Sequence, residues 1–295
     1  MRPEDLNARS WLFVPGNSDR KMEKAAASPA DIVLLDLEDA ISEEGKPRAR
    51  SMVSAFLAAH PQERARLWVR INPLRGPHAL SDLVAVMVGH PGGIMLPKVS
   101  GRTDVELLSQ YLAALEVVSG IEQGSTPVIA LTIETGEAVF TMGAYADVPR
   151  MVALSWGAED LAASLGASEN RSADGSYGFT YELARSLCLL GAAAAGVAAI
   201  ETIHADFSDE AGLRKRAEQV RRAGFRGMLA IHPNQVSVIN DAFTPTADEL
   251  GRAQEIVDLF AANPGVGTIG YKGAMVDRPY LARAQTLLKL AARLR

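Results

Sequence analysis

The feature that most constrains this chain is a recurrence of eight short apolar runs: Trp11–Val14, Ile32–Leu37, Leu67–Ile71, Gly93–Leu96, Val128–Ile133, Met151–Ser155, Ala199–Ile203 and Gly227–Ile231. Each gives way to polar or small residues. The segments between them, such as Asp104–Ser119 and Asp209–Ala223, carry the 3.6-residue period of surface helices. Continuous hydrophobicity, without alternation, marks strands buried on both faces, as in a parallel sheet covered by helical crossovers. Eight such units in roughly 250 residues is the arithmetic of a closed (β/α)8 TIM barrel. An open doubly wound sheet carries the same local pattern, because periodicity does not report closure. The barrel is the expectation for residues 1–242.

Residues 243–295 are more chain than one closing helix requires. Helices are expected over Asp248–Ala262 and Tyr280–Leu294. Between them, Asn263–Pro279 holds Pro264, Gly265, Gly267, Gly270, Gly273 and Pro279, and reads as a loop. A C-terminal helical extension carrying an Asp277 loop therefore follows the barrel.

Thirty basic and 35 acidic side chains, mixed along 295 residues, give a net charge of −5, which argues against nucleic acid as a partner. The longest apolar stretch, Cys188–Ile200, falls short of the ~20 residues of a spanning helix and reads as a buried helix running into a strand. No membrane association is expected. The opening Met-Arg-Pro-Glu-Asp lacks a secretory pattern, and the single cysteine, Cys188, excludes an intramolecular disulfide or a multi-cysteine zinc site. A cytoplasmic location is the expectation, with Cys188 a packing residue.

In a barrel of this kind the chemistry lies where the strands end. The exits here are one-sided: Pro15-Gly16-Asn17, Asp36-Leu37-Glu38-Asp39, Arg70-Ile71-Asn72, Pro97-Lys98, Glu134, Gly157-Ala158-Glu159-Asp160, Glu201 with His204, and His232-Pro233-Asn234. The opposite rim offers no comparable set. Carboxylates crowded at one mouth repel one another unless something positive joins them. With oxygen ligands and no thiolate or histidine cluster, the expected ion is Mg²⁺, or Mn²⁺, held by Glu134 and Asp160 and completed by water and substrate oxygens. The plainer reading of Asp160 is an acid at a helix N-terminus. Arg70, inside an apolar strand, needs an anion. A substrate oxygen and a structural salt bridge to Asp36 or Glu38 both answer that need, and the two are compatible. Arg20 and Lys24, spaced i and i+4 after the first turn, form a plausible phosphate clamp or an ordinary solvated helix face. His204 and His232 read as hydrogen-bonded strand-end residues. From spacing alone, Asp277 caps the helix beginning near Pro279, with a late-arriving base as the alternative. Nicotinamide, P-loop and serine-hydrolase readings lack their motifs.

Taken in order, Leu12-Phe-Val-Pro-Gly-Asn17, Leu35-Asp-Leu-Glu-Asp39, Val69-Arg-Ile-Asn72, Met95-Leu-Pro-Lys98, Ile133-Glu-Thr135, Trp156-Gly-Ala-Glu-Asp160, Ile231-His-Pro-Asn-Gln235 and Gly273-Ala-Met-Val-Asp277 resemble the citrate lyase β-subunit-like group of the HpcH/HpaI aldolase superfamily, relatives of malyl-CoA and citramalyl-CoA lyases. The resemblance spans nearly the whole chain. It implies a Mg²⁺-dependent carbon–carbon lyase that cleaves a 3-hydroxy-3-carboxyacyl thioester to acetyl-CoA and a 2-oxo acid, or condenses them. By matching position, Glu134 and Asp160 are the implied metal ligands, with Glu134 also at the substrate, and Arg70 the group at the thioester enolate. Asp36 and Glu38 would orient Arg70 or a metal-bound water. Phe13, Arg20 and Lys24 match positions lining the coenzyme A site, Phe13 standing where relatives often carry tyrosine. Asp277 matches an acid–base residue contributed by an adjacent subunit, which overrides the capping reading.

The same resemblance implies a homotrimer or a hexamer. A citrate lyase complex subunit reading an acyl-carrier protein, and a malate synthase or thioesterase that also hydrolyses the thioester, are the alternatives. The identity of the 2-oxo acid is left open.

Overall fold

The computed structural model describes residues 6–294; the first five, on which the reading of the N-terminus rested, lie outside the described residues. The chain divides into two compact units, Met1–Asn240 and Asp241–Arg295.

The first unit is a closed barrel of eight strands: β1 (Ser10–Pro15), β2 (Ile32–Asp36), β3 (Leu67–Arg70), β4 (Gly93–Leu96), β5 (Val128–Ile133), β6 (Met151–Trp156), β7 (Ala198–Glu201) and β8 (Gly227–Ala230). All are parallel, and β8 pairs back onto β1 through Trp11 and Leu229. Every apolar run became a strand, so closure settles the open alternative. The helices follow in turn: α1 (Asp19–Ala26), α2 (Lys46–Ala59), α3 (Ala79–Met87), α4 (Arg102–Ser119), the single turn α5 (Gly136–Val139), α6 (Ala158–Leu165), α7 (Phe179–Ala195), α8 (Glu210–Ala223) and α9 (Pro233–Phe243). Cys188 is fully buried on α7, which runs directly into β7 as expected for that apolar stretch. No described helix is long and apolar enough to cross a membrane.

Strand period and register together place the chemistry. Side chains two apart share a face, so Leu34 and Asp36 point one way on β2, as do Trp68 and Arg70 on β3. The register sets Leu34 beside Trp68 and Asp36 beside Arg70. Leu34 and Trp68 belong to the core cluster that fills the barrel with Trp11, Met95, Ile129 and Leu229. Trp11 and Trp68 meet edge to face, ring centroids 5.2 Å apart. Asp36 and Arg70 therefore stand on the same inner face, one layer nearer the strand ends.

In the second unit, α10 (Ala247–Ala262) opens with a reciprocal capping box. Thr246 Oγ1 accepts from the Glu249 N–H at 3.2 Å, and Glu249 Oε2 accepts from the Thr246 N–H at 2.9 Å. The segment Asn263–Pro279, expected to be a loop, instead contains an antiparallel hairpin, β9 (Thr268–Tyr271) and β10 (Ala274–Asp277), before α11 (Arg278–Arg293). Its two-residue turn, Lys272-Gly273, has φ of 48° and 80°. Positive φ at both centres is the twist that closes a two-residue hairpin. The glycines and prolines that suggested a loop flank or make this turn.

Candidate active site

Around the C-terminal ends of the barrel strands lies a cleft of about 300 Å³ whose wall includes Phe13, Asp36, Arg70, Glu134, Trp156 and Asp160. Arg70 is its organising cation. Its Nε donates to Asp36 Oδ1 and its Nη2 to Asp36 Oδ2, both at 2.7 Å, and Nη1 lies 2.8 Å from Glu38 Oε2. The guanidinium also sits over the Phe13 ring, 4.6 Å from its centroid. Burial alone would lower the pKa of Arg70, but Asp36, Glu38 and Asp39 more than offset it and push it further up. The structural salt bridge and the exposure to the cleft thus coexist. Two of the guanidinium hydrogens are donated to Asp36, and Nη1 makes an ion pair with Glu38, whose Oε2 accepts no hydrogen bond; the remaining N–H groups are left for a ligand.

Asp36 is itself held by the backbone, accepting from the N–H groups of Glu38 (2.9 Å) and Ala40 (3.2 Å). The exit of β1 packs against it through Gly16, whose N–H donates to the Asp36 carbonyl at 2.9 Å. A Cβ at Gly16 would lie 2.8 Å from that oxygen and 2.6 Å from Val53, so only glycine permits the approach.

Lys98 joins the remaining acids. Its Nζ lies 2.6 Å from Glu38 Oε1 and 3.4 Å from both Asp39 Oδ1 and Asp160 Oδ1. Its backbone is left-handed, φ 51°, and its N–H donates to Glu134 Oε2 at 2.5 Å. Sequence reasoning placed Lys98 on the rim without a role. The signal available was a lysine straight after Pro97 at a strand exit crowded with acids.

Glu134 is the unfinished group. It is 2% exposed, and its Oε1 is shielded from solvent with no hydrogen-bond partner. Burial, then the nearby charges of Glu38 and Asp160, push its pKa up to about 8 against the pull of Lys98. A Cβ at Gly157 would come within 2.8 Å of Glu134 Cγ, so the glycine after β6 makes room for this side chain. Asp160 lies in the first turn of α6, where an acid suits the helix dipole, and also lines the cleft with its side chain 34% exposed. A position that suits the helix dipole and a place on the cleft wall are compatible. An orphaned carboxylate oxygen, a second carboxylate on the same wall and net negative surroundings fit a divalent cation. Among the described residues no three His, Cys, Asp or Glu side chains form a complete ligand set. Water and substrate oxygens would have to complete the coordination.

Beside the cleft is a groove of about 450 Å³ lined by Arg20, Lys21, Lys24 and His232, sharing Phe13, Val14, Pro15 and Ile231 with it. Arg20 and Lys24 thus lie together, on a helix capped by Ser18, and Lys21 adds a third cation not singled out from spacing.

Two expected members do not join this assembly. Glu201 pairs with Arg216 of α8 at 2.6 Å, both buried, away from the cleft wall. Asn72 is tied to Asp82 and Lys46 at 2.7 and 2.8 Å. His232 Nδ1 accepts from the Asn234 N–H at 3.2 Å, in keeping with a hydrogen-bonded strand-end role, whereas His204, 3.3 Å from Asp209, has both ring nitrogens shielded without a hydrogen-bond partner, against expectation.

Asp277 belongs to the second unit and occupies the N-cap position of α11. Its side chain makes no capping hydrogen bond, and its Oδ1 is shielded without a partner. The side-chain capping expected from spacing does not occur.

Residues 9–233 match the HpcH/HpaI aldolase/citrate lyase family. A citrate lyase subunit beta-like protein of Mycobacterium tuberculosis is 35% identical over 281 residues, covering 95% of this chain and 94% of that protein. The mitochondrial citramalyl-CoA lyase of Rattus norvegicus is 30% identical over 298 residues, 96% of this chain and 86% of that one. The crystal structure of CitE from Mycobacterium tuberculosis, in complex with magnesium, acetoacetate and coenzyme A, superimposes with a TM-score of 0.82 at 32% identity, covering 98% of this chain and 99% of that one. A barrel with this acidic strand-end wall and this extent of likeness belongs to the HpcH/HpaI aldolase/citrate lyase family.

Proposed function

We propose that the protein is a Mg²⁺-dependent carbon–carbon lyase that cleaves a 3-hydroxy-3-carboxyacyl-CoA to acetyl-CoA and a 2-oxo acid, and catalyses the reverse condensation. The observation that carries this reading is Glu134, with one oxygen orphaned, lining a single cleft together with Asp160 and Arg70. Glu134 and Asp160 would hold the ion, with Mn²⁺ an acceptable substitute. It would lower the pKa of the substrate hydroxyl and orient the 2-oxo acid half.

In cleavage the hydroxyl gives up its proton to water, the carbon–carbon bond breaks, and its electron pair moves onto the thioester as an enolate. Arg70 presents its remaining N–H groups where that negative charge develops. Asp36 and Glu38 fix the guanidinium beforehand, so little reorganisation accompanies the step. Protonation of the enolate carbon by Asp277 completes the acetyl group, and in condensation the same carboxylate removes that proton. The unpartnered Oδ1 of Asp277 supports an acid–base role over a capping one. Its delivery from a neighbouring copy would make the enzyme a homo-oligomer, a trimer or a hexamer.

Arg20, Lys21 and Lys24 support free coenzyme A as the thiol carrier, because three cations in one groove suit its phosphates better than the single phosphodiester of a carrier-bound arm. A cytoplasmic location agrees with the lone buried Cys188.

The test is incubation with Mg²⁺ and malyl-, citramalyl- and citryl-CoA, with identification of the acids and thiol released. Acetyl-CoA and a 2-oxo acid are expected, and chelation should abolish them. Free coenzyme A in place of acetyl-CoA would show thioester hydrolysis instead, and turnover only with a carrier-bound thioester would point to a lyase complex.

A further inference from the structure

Lys46, the first residue of α2, is buried, yet its ammonium is not held by a carboxylate. Its ion-pair partner, the exposed Glu43, stays 3.7 Å away, beyond hydrogen-bond reach. Lys46 Nζ donates instead to the Leu37 carbonyl at 3.4 Å, the Glu38 carbonyl at 3.1 Å and Asn72 Oδ1 at 2.8 Å. All three of its donors are thus used. Burying an ammonium is costly, and here main-chain and amide oxygens supply the compensation.

What Lys46 holds is the turn after β2. Asp36, Glu38 and Asp39 on that turn are the acids around the Arg70 guanidinium, at 2.7, 2.8 and 3.7 Å. Asn72 stands two positions beyond Arg70. Its Nδ2 donates to the Leu37 carbonyl at 2.8 Å, and the Leu37 N–H donates to the Arg70 carbonyl at 3.0 Å. Asn72 is fixed in turn by Asp82, whose Oδ2 accepts from its N–H at 2.8 Å and its Nδ2 at 2.7 Å, and whose Oδ1 accepts from Arg50 Nε at 2.6 Å. Lys46, Asn72 and Asp82 are all buried, and none of them lines the cleft.

We propose that Lys46 is a positioning residue for Arg70. It joins the segment that carries the acids to the segment that carries the arginine, through the main chain of Leu37 and Glu38 and through Asn72, and so holds the carboxylates that aim the guanidinium. Without its ammonium, Asp36 and Glu38 keep their charges but lose part of their registration with Arg70. A small misplacement of a group that meets developing charge is felt in the transition state more than in ground-state binding. That kinetic consequence rests on the lyase reading; the tie itself does not.

The test is Lys46→Met, which keeps an unbranched side chain and removes the ammonium. Steady-state kinetics should show kcat reduced about 10- to 100-fold, with KM for the thioester changed by no more than about twofold. In proton–nitrogen correlation spectra the Arg70 Nε–H resonance, identified by its loss in Arg70→Lys, should move or broaden. A retained kcat, or an Arg70 resonance that stays in place, would overturn the proposal. Glu43→Gln is expected to leave kcat unchanged; a loss equal to that of Lys46→Met would assign the effect to the ion pair and overturn it as well. If Lys46→Met does not unfold cooperatively, Asn72→Ser replaces it. That variant removes the amide between Lys46 and the Leu37 carbonyl, carries the same expectations and is overturned by the same results. A parent protein without lyase turnover would refute the functional reading, and the Arg70 resonance would still decide for or against the tie.

Discussion

Two buried glutamates of the same barrel have opposite environments. Glu116, on α4, lies at the end where the strands begin. Its Oε1 accepts from the Thr126 N–H at 2.9 Å and from Arg150 at 2.5 Å, and its Oε2 from the Gly124 N–H at 2.7 Å and from Arg150 at 2.8 Å. Burial alone would raise its pKa, but these donors bring it down to about 2. Glu134, at the opposite end, has one oxygen held by Lys98 and the other orphaned, and sits at about 8. The strand-start rim does hold a buried acid, then, but one whose charge is balanced internally. One carboxylate is complete within the chain; the other waits for something from outside. That separates a structural ion pair from a binding site better than burial does.

The comparison breaks first at Glu134. Glu134→Gln should reduce Mg²⁺-dependent turnover by at least about 100-fold, while thermal unfolding in chelator is unchanged or shifts upward because a buried repulsion is relieved. A variant that loses stability and keeps its turnover would reverse the two roles. Arg70→Lys comes next. It keeps the charge but loses the fork on Asp36, and kcat should fall about 100- to 1000-fold with a smaller change in KM, measured by steady-state kinetics.

Glu116→Gln should have the complementary phenotype. It strands Arg150, which is 5% exposed, and stability should drop by roughly 3–5 kcal/mol in urea unfolding, with turnover per folded molecule retained. The same pair sharpens the contrast through pH. In the unfolded chain Glu116 takes up its proton near 4.5, and in the native state only near about 2. Between those values the unfolded state binds more protons, so this contribution is fully present above about pH 4.5 and is lost as pH falls toward 2. Unfolding free energy against pH should therefore be flatter over that window in Glu116→Gln than in the parent. The smallest effect is expected at exposed Arg20: Arg20→Ala should raise KM for the CoA thioester about two- to fivefold at unchanged kcat.

Much of the fold was legible because its signals are local. Eight apolar runs mark eight buried strands whatever their partners, and the helices between them announce themselves by period. The hairpin at Thr268–Tyr271 and Ala274–Asp277 was not legible. Its strands are short and half exposed, and the turn rests on positive φ at Lys272, a residue that does not advertise that conformation. For the site, residue type at a strand exit singled out Arg70, Glu134 and Asp160, which line one cleft, but it also suggested Glu201, which pairs with Arg216 instead. Adjacent positions on a strand differ in face, and the exact end of each strand decides which face an exit residue takes.

By itself the sequence determined that the strands are parallel and enclosed, and that acids cluster at their ends, because hydrophobic period and residue order are properties of the chain. Only the tertiary structure decided which acids are neutralised. Lys98 reaches Glu38 across 60 positions and Arg70 reaches Asp36 across 34, while no donor reaches Glu134 Oε1. Charge balance at a buried atom depends on neighbours brought together by closure of the barrel, and no local pattern encodes them.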